Sequence, residues 1–178
     1  IKILKFSKEL NFLTCVHAES GNLINNISND LCMNNFISPI NHFISRPYLL
    51  EKESINRIVE FSKFFNNPLY IVHLSSALSI KNLIDSKSSG FNFYIETCPQ
   101  YLVMDSTNYC YDNYNSSKFI MSPPLKSKYN KDLLWLNLKN NHINIISTDH
   151  CSFFYNNQKK AGIENYKLIP NGMSSCNN

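Results

Sequence analysis

Histidine, glutamate and aspartate recur in this chain at one kind of place, just after a short apolar run. His17 follows Phe12 to Val16 (FLTCV), and His73 follows Leu69 to Val72 (LYIV). Glu96 follows Phe91 to Ile95, while Asp149 and His150 follow the stretch INIIST that opens at Ile143. His and Asp are ligand types for catalytic zinc, which keeps an open position for water. Bound zinc lowers the pKa of that water to about 7, and a neighbouring carboxylate can hold the hydroxide and carry its proton. One histidine after a strand is ordinarily a capped or surface residue. Two histidines and an aspartate, each at the carboxyl end of a separate parallel strand, converge on one mouth when the strands close into a barrel. From the residues alone, a metal hydrolase and strands that run out into solvated loops both stay open.

The elements that would position these residues alternate. Apolar, β-branched runs at 12–16, 69–72, 91–95 and from Ile143 read as strands. Glu51 to Phe65 carries Ile55, Ile58, Val59 and Phe61 to Phe65 at helical spacing, with Asn66-Asn67-Pro68 as the stop. Ala77 to Ser86 and Asn130 to Lys139 read as further helices, and Asn22 to Asn35 as a weaker one. Strands alternating with helices predict a parallel sheet with right-handed crossovers. Before Phe12 the chain is expected to lead almost directly into a strand. Tyr101 to Ser117 is expected to be a loop with one short element, and Ser122-Pro123-Pro124 to be extended. After Cys151 a long polar segment leads to Pro170-Asn171-Gly172. His42 could support the Ser45-Arg46-Pro47 turn, His142 is expected to be exposed, and Cys151 has no identifiable base to make it a nucleophile.

The 178 residues suffice for one domain with a core. The formal charge of +4 comes from scattered lysines without a basic stripe, which argues against nucleic-acid binding. None of the four glycines forms a G-x-G-x-x-G or Walker loop, and there is no G-x-S-x-G elbow. The six cysteines (15, 32, 98, 110, 151 and 176) show no C-x-x-C pair, so reduced thiols in an intracellular protein are expected. No apolar run has the length of a membrane span, and no targeting segment is visible. The chain begins with Ile rather than Met, and is expected to be a piece of a longer protein.

Several blocks together carry a family likeness. Val16-His17-Ala18-Glu19, Ile71-Val72-His73-Leu74-Ser75-Ser76, Glu96-Thr97-Cys98-Pro99-Gln100-Tyr101-Leu102, Ser122-Pro123-Pro124-Leu125, Thr148-Asp149-His150-Cys151 and Ile169-Pro170-Asn171-Gly172 occur in that order. In this they resemble the dihydropyrimidinase and D-hydantoinase family of cyclic amidohydrolases. The resemblance implies an α/β fold, a (β/α)8 TIM barrel of which residues 1–178 would form a partial domain, roughly strands five to eight. It implies two zinc ions per intact subunit, bridged by a carboxylated lysine that lies outside this chain. His17 and His73 would be ligands of one zinc and Asp149 of the other, with Asp149 also acting as general base and then acid. Ser122 and Asn171 match positions whose main chains hold the cyclic amide. The implied reaction is hydrolytic opening of a 5,6-dihydropyrimidine, dihydrouracil to N-carbamoyl-β-alanine, in pyrimidine catabolism by a cytoplasmic homotetramer. No nucleic-acid or membrane partner is implied.

Related sequences bound the reading. Allantoinases and dihydroorotases share His-x-Ser-Ser and a zinc-binding Asp. Allantoinases, however, favour Ser-Asp-His-Ser where this chain has Thr148-Asp149-His150-Cys151, and tend to have His where it has Gln100. Collapsin response mediator proteins share the fold without hydrolysis and would lack counterparts of His73, Asp149 and Asn171, so an enzyme is favoured over a scaffold. Hydantoinase, allantoinase and non-catalytic interaction protein are the alternatives. Two departures stand out: Ser20 where the family usually has Asn, and Ser152 in place of a common Pro. The family's paired His-x-His, its lysine and its substrate-loop tyrosine would precede Ile1, so this fragment alone is expected to be inactive and unstable.

Overall fold

The computed structural model describes residues 1–174. Four short strands, β1 (Thr14–Val16), β2 (Leu69–Ile71), β3 (Phe93–Thr97) and β4 (Ile145–Ile146), form one sheet in the order β1-β2-β3-β4. Every pairing is parallel, with Val16 beside Ile71, Ile71 beside Ile95 and Glu96 beside Ile145. Sequential order without reversal distinguishes barrel-wall topology from a doubly wound sheet, whose strand order turns back at a switch point. Because all strands run the same way, their carboxyl ends lie along one rim.

Helices lie before and between these strands, and some of them cover one face of the sheet. They are α1 (Lys2–Glu9), α2 (Gly21–Met33), α3 (Ile40–Ile44), α4 (Tyr48–Phe65), α5 (Lys81–Ser88), α6 (Pro99–Val103), α7 (Asn113–Ser116) and α8 (Lys128–Lys139). Ile55 and Val59 of α4, Leu83 of α5 and Leu134 of α8 are buried with Leu69, Ile71, Phe93 and Ile95 in one core. On the other face, the register row Cys15, Tyr70, Tyr94 is largely open: Cys15 is exposed and Tyr94 is 43% exposed. Local signals set the helix ends. Pro47 precedes the first turn of α4, the Ser127 hydroxyl accepts the Asn130 N–H of α8 at 3.3 Å, and Asn66 closes α4 in the left-handed conformation.

Several sequence expectations need correction. The chain begins with helix α1, not with a direct approach to a strand; Leu4 is buried while Ile3 and Phe6 face outward. α4 starts three residues early, at Tyr48. The helix expected from Ala77 is a 3-10 turn (Ala77–Ser79) followed by α5. The region 101–117 holds the end of α6, a 3-10 turn (Ser106–Cys110) and α7, more structure than one short element. After Cys151, a π turn (Tyr155–Lys159) and two 3-10 turns break up the polar segment. His142 is half-buried, with its Nδ1 3.0 Å from Asn137 Oδ1. Cys15, Cys32, Cys98, Cys110 and Cys151 are free thiols, and Cys176 lies outside the described residues. Among the described residues, no helix is long and apolar enough to cross a membrane.

Candidate active site

The strand ends deliver His17 and His73 to one point. His17 Nδ1 and His73 Nε2 stand 2.9 Å apart, with the rings edge to face. His17 Nε2 lies 3.1 Å from Glu19 Oε2, so the carboxylate accepts the proton on that nitrogen. Nδ1 is then the bare nitrogen, and its lone pair points toward His73. The side chain of Glu19 is 6% exposed and is itself approached by Arg46 Nε at 3.9 Å.

His73 is buried, and its Nδ1 has no hydrogen-bond partner. Its main-chain N–H donates to Glu96 Oε1 at 3.3 Å, and the Tyr70 hydroxyl also donates to the Glu96 carboxylate. Burial, and then the charge of His17, push the His73 pKa down, while Asp149 opposes them. A neutral imidazole is the form that can bind a metal.

Backbone conformation singles out the same residues. Asn11, Asn35, Asn66 and Asn141 have positive φ and follow helices, where asparagine tolerates the left-handed region. Among the described residues, the other non-glycine positions with positive φ are His73, at +38°, and Asp149, at +42°, each just after a strand. Such conformations cost on the order of 1–3 kcal/mol and persist where the surroundings impose them. Around His73 the surroundings are explicit. Glu51, 2% exposed, reaches up from α4 and accepts from Ser75 N at 2.8 Å, Ser75 Oγ at 2.7 Å and Ser76 N at 3.3 Å. Asn130 of α8 donates to Ser75 O at 2.7 Å and accepts from Ala77 N at 2.9 Å.

A cavity of about 200 Å³ opens at this rim. His73, Gln100, Met121, Ser122, Asp149, Cys151 and Asn171 are among the residues that line it. Of the five site residues that the resemblance implies, four share this cavity and the fifth, His17, meets His73 at its edge, whereas Glu96 and His150, also at strand ends, are not among its lining residues. Asp149 is exposed there. The Ser122 hydroxyl donates to Asn171 Oδ1 at 2.8 Å, joining two segments far apart in sequence. Gly172 has φ +146°, and a Cβ on it would stand 2.6 Å from Cys151 O, so a side chain is excluded at this corner.

The His pair suits a metal ion. A metal about 2.0–2.1 Å from each nitrogen in a tetrahedral site wants them roughly 3.3 Å apart, a few tenths of an ångström more than observed. The contact from His17 Nε2 to Glu19 is the carboxylate support that ligating histidines ordinarily have. Among the described residues no three His, Cys, Asp or Glu side chains gather into a full ligand set, so further donors would come from outside them. Burial, with Asp149 and Glu96 nearby, pushes the Cys98 thiol up to about 12, which keeps it protonated and unfit as a nucleophile.

Sequence reasoning did not find the supports: Arg46, Glu51 as an anchor of the His73 loop, and Lys159. His42 does more than support a turn. It is buried, held neutral by a pKa lowered to about 3 through burial, and lies with Nε2 2.8 Å from Met121 O, next to Ser122.

No family model matches the chain. It is 35% identical to the D-hydantoinase of Geobacillus stearothermophilus over 96% of its own length and 36% of that protein's. Against the crystal structure of dihydropyrimidinase from Brevibacillus agri the TM-score is 0.95, with 36% identity over 98% of this chain and 38% of that one. A D-hydantoinase structure from a Bacillus species also gives a TM-score of 0.95, at 34% identity and the same coverage. The chain thus spans little more than a third of the length of these relatives. Sequence identity along its whole length and a near-superimposable fold agree: the chain belongs to the D-hydantoinase/dihydropyrimidinase family.

Proposed function

We propose that the intact protein carrying this chain is a metal-dependent cyclic amidohydrolase that opens the ring of a 5,6-dihydropyrimidine. The observation that supports this most is the gathering of His73, Asp149, Ser122 and Asn171 around one cavity, with His17 Nδ1 facing His73 Nε2. In this reading His17 and His73 hold one zinc and Asp149 a second. The two-zinc count, the lysine bridge, the homotetramer and the cytoplasmic location implied by the resemblance are part of the same proposal.

A bound zinc supplies Lewis acidity and an acidified water. The chain's own residues do the rest. Glu19 fixes the His17 tautomer, and Glu51 with Asn130 fixes the turn that carries His73. Main-chain groups at Ser122 and Asn171 hold the amide of the ring, so that its carbonyl faces the histidine pair. Asp149 takes a proton from the attacking water and returns it to the ring nitrogen as the C–N bond breaks. Water is added across that bond, leaving a carboxylate and a free ureido group.

A five-membered hydantoin is the second reading, because several relatives bear the names D-hydantoinase and D-phenylhydantoinase. Both rings present an amide flanked by a second carbonyl, and initial rates on dihydrouracil and hydantoin tell them apart. In the intact protein, Asp149→Ala should lower kcat by at least about a thousandfold, since both proton transfers are lost. Turnover within tenfold of wild type would contradict the role given to Asp149.

A further inference from the structure

Lys159 lies outside the cavity, in the π turn Tyr155–Lys159, and has no part in the chemistry above. Its side chain is nevertheless 3% exposed. Nζ donates to Ile120 O at 2.6 Å and to Pro170 O at 2.8 Å. One carbonyl lies two residues before Ser122 and the other immediately before Asn171. The same two segments also meet where Gly172 N donates to Ile120 O at 3.1 Å and where Ser122 donates to Asn171. Below the ammonium, the Phe153 ring is centred 5.6 Å away.

This is an expensive way to fill space. Burial lowers the ammonium to about 8, so it is charged at neutral pH while its hydrogen-bond acceptors are carbonyl dipoles. An apolar side chain would avoid that desolvation cost. A cation with several donors, however, can bind two carbonyls of separate segments at one point, which no apolar residue can do.

We propose that Lys159 is a positioning residue for substrate binding: it joins the Ile120–Ser122 and Pro170–Gly172 segments into one wall, so that Ser122 and Asn171 meet the ring amide at a set spacing. This rests on the reading of those two residues as the amide-holding groups. It separates Lys159 from the metal centre and from proton transfer, and that separation can be measured.

The test uses the intact protein, with dihydrouracil and hydantoin as substrates. Lys159→Met keeps the length of the side chain and removes its donors; Lys159→Arg keeps donors and charge. The expected result for K159M is a KM raised about tenfold or more with kcat within about threefold and metal content unchanged, and recovery of most of the KM in K159R. Folded K159M with wild-type KM overturns the proposal, as does a fall in kcat at constant KM. If K159M does not fold, Lys159→Gln, which keeps an N–H pair, takes its place with a smaller rise in KM; failure of both to fold makes Lys159 a core residue and overturns the proposal. A wild-type protein that opens neither ring overturns the site reading and this proposal together, whereas an active wild type with an unaffected K159M overturns this proposal alone.

Discussion

Glu19 illustrates how little of a site can be carried by its ligands alone. The side chain is buried, accepts a hydrogen bond from His17 Nε2 and is faced by Arg46, an arrangement that favours the Nε2–H tautomer and holds the imidazole in one orientation. Outer-shell carboxylates of this kind are worth roughly 10–100-fold in metal affinity. Glu19→Gln in the intact protein should therefore weaken zinc binding by about that factor in a chelator competition, with the fold retained. Unchanged affinity would mean that His17 is oriented by something else. At this scale the placing of His17, His73 and Asp149 just after strands was legible in the sequence, because a polar residue after an apolar run is a local pattern. Arg46, Glu51 and Lys159 were not: each has at least one of its partners more than twenty residues away, at Glu19, Ser75 and Ile120 respectively, and nothing in its neighbours announces that contact.

Among the elements, α4 and the turn after β2 form the tightest unit. The Glu51 carboxylate is satisfied by Ser75 N, Ser75 Oγ and Ser76 N, with Lys126 Nζ at 3.9 Å. Burial raises its pKa, and Lys126 and the Ser75 hydrogen bonds oppose the rise. Glu51→Ala would leave Lys126 buried without its counter-charge and two main-chain donors unpaired. The expected loss is about 3–5 kcal/mol of stability, read as a drop in the denaturant midpoint; a loss under about 1 kcal/mol would be the value of a surface pair and would contradict the anchoring role. The body of this helix was readable from sequence because Ile55 and Val59 repeat at its period and are buried. α1 was missed because its apolar residues do not share one buried face: Leu4 packs inward while Ile3 is 70% and Phe6 61% exposed. The elements at 99–119 are too short to display a period at all. β4 shrank to two residues, with Asn144 bridging to β3 through its own N–H and side chain instead of extending the strand.

For the whole molecule, the sheet has one covered face and one largely open row at Cys15, Tyr70 and Tyr94. Together with the sequential strand order, this is the geometry of a stretch of barrel wall. The chain matches 36–38% of its relatives' lengths, so the closed barrel and the two-metal site are proposals about the intact protein. The central claim is that His17 and His73 share a metal, and diffraction tests it most directly. In crystals of the intact, zinc-loaded and active protein, data collected on both sides of the zinc absorption edge should give an anomalous peak about 2.0–2.1 Å from both His17 Nδ1 and His73 Nε2. An active crystal form whose anomalous peaks all lie away from that pair would contradict the account.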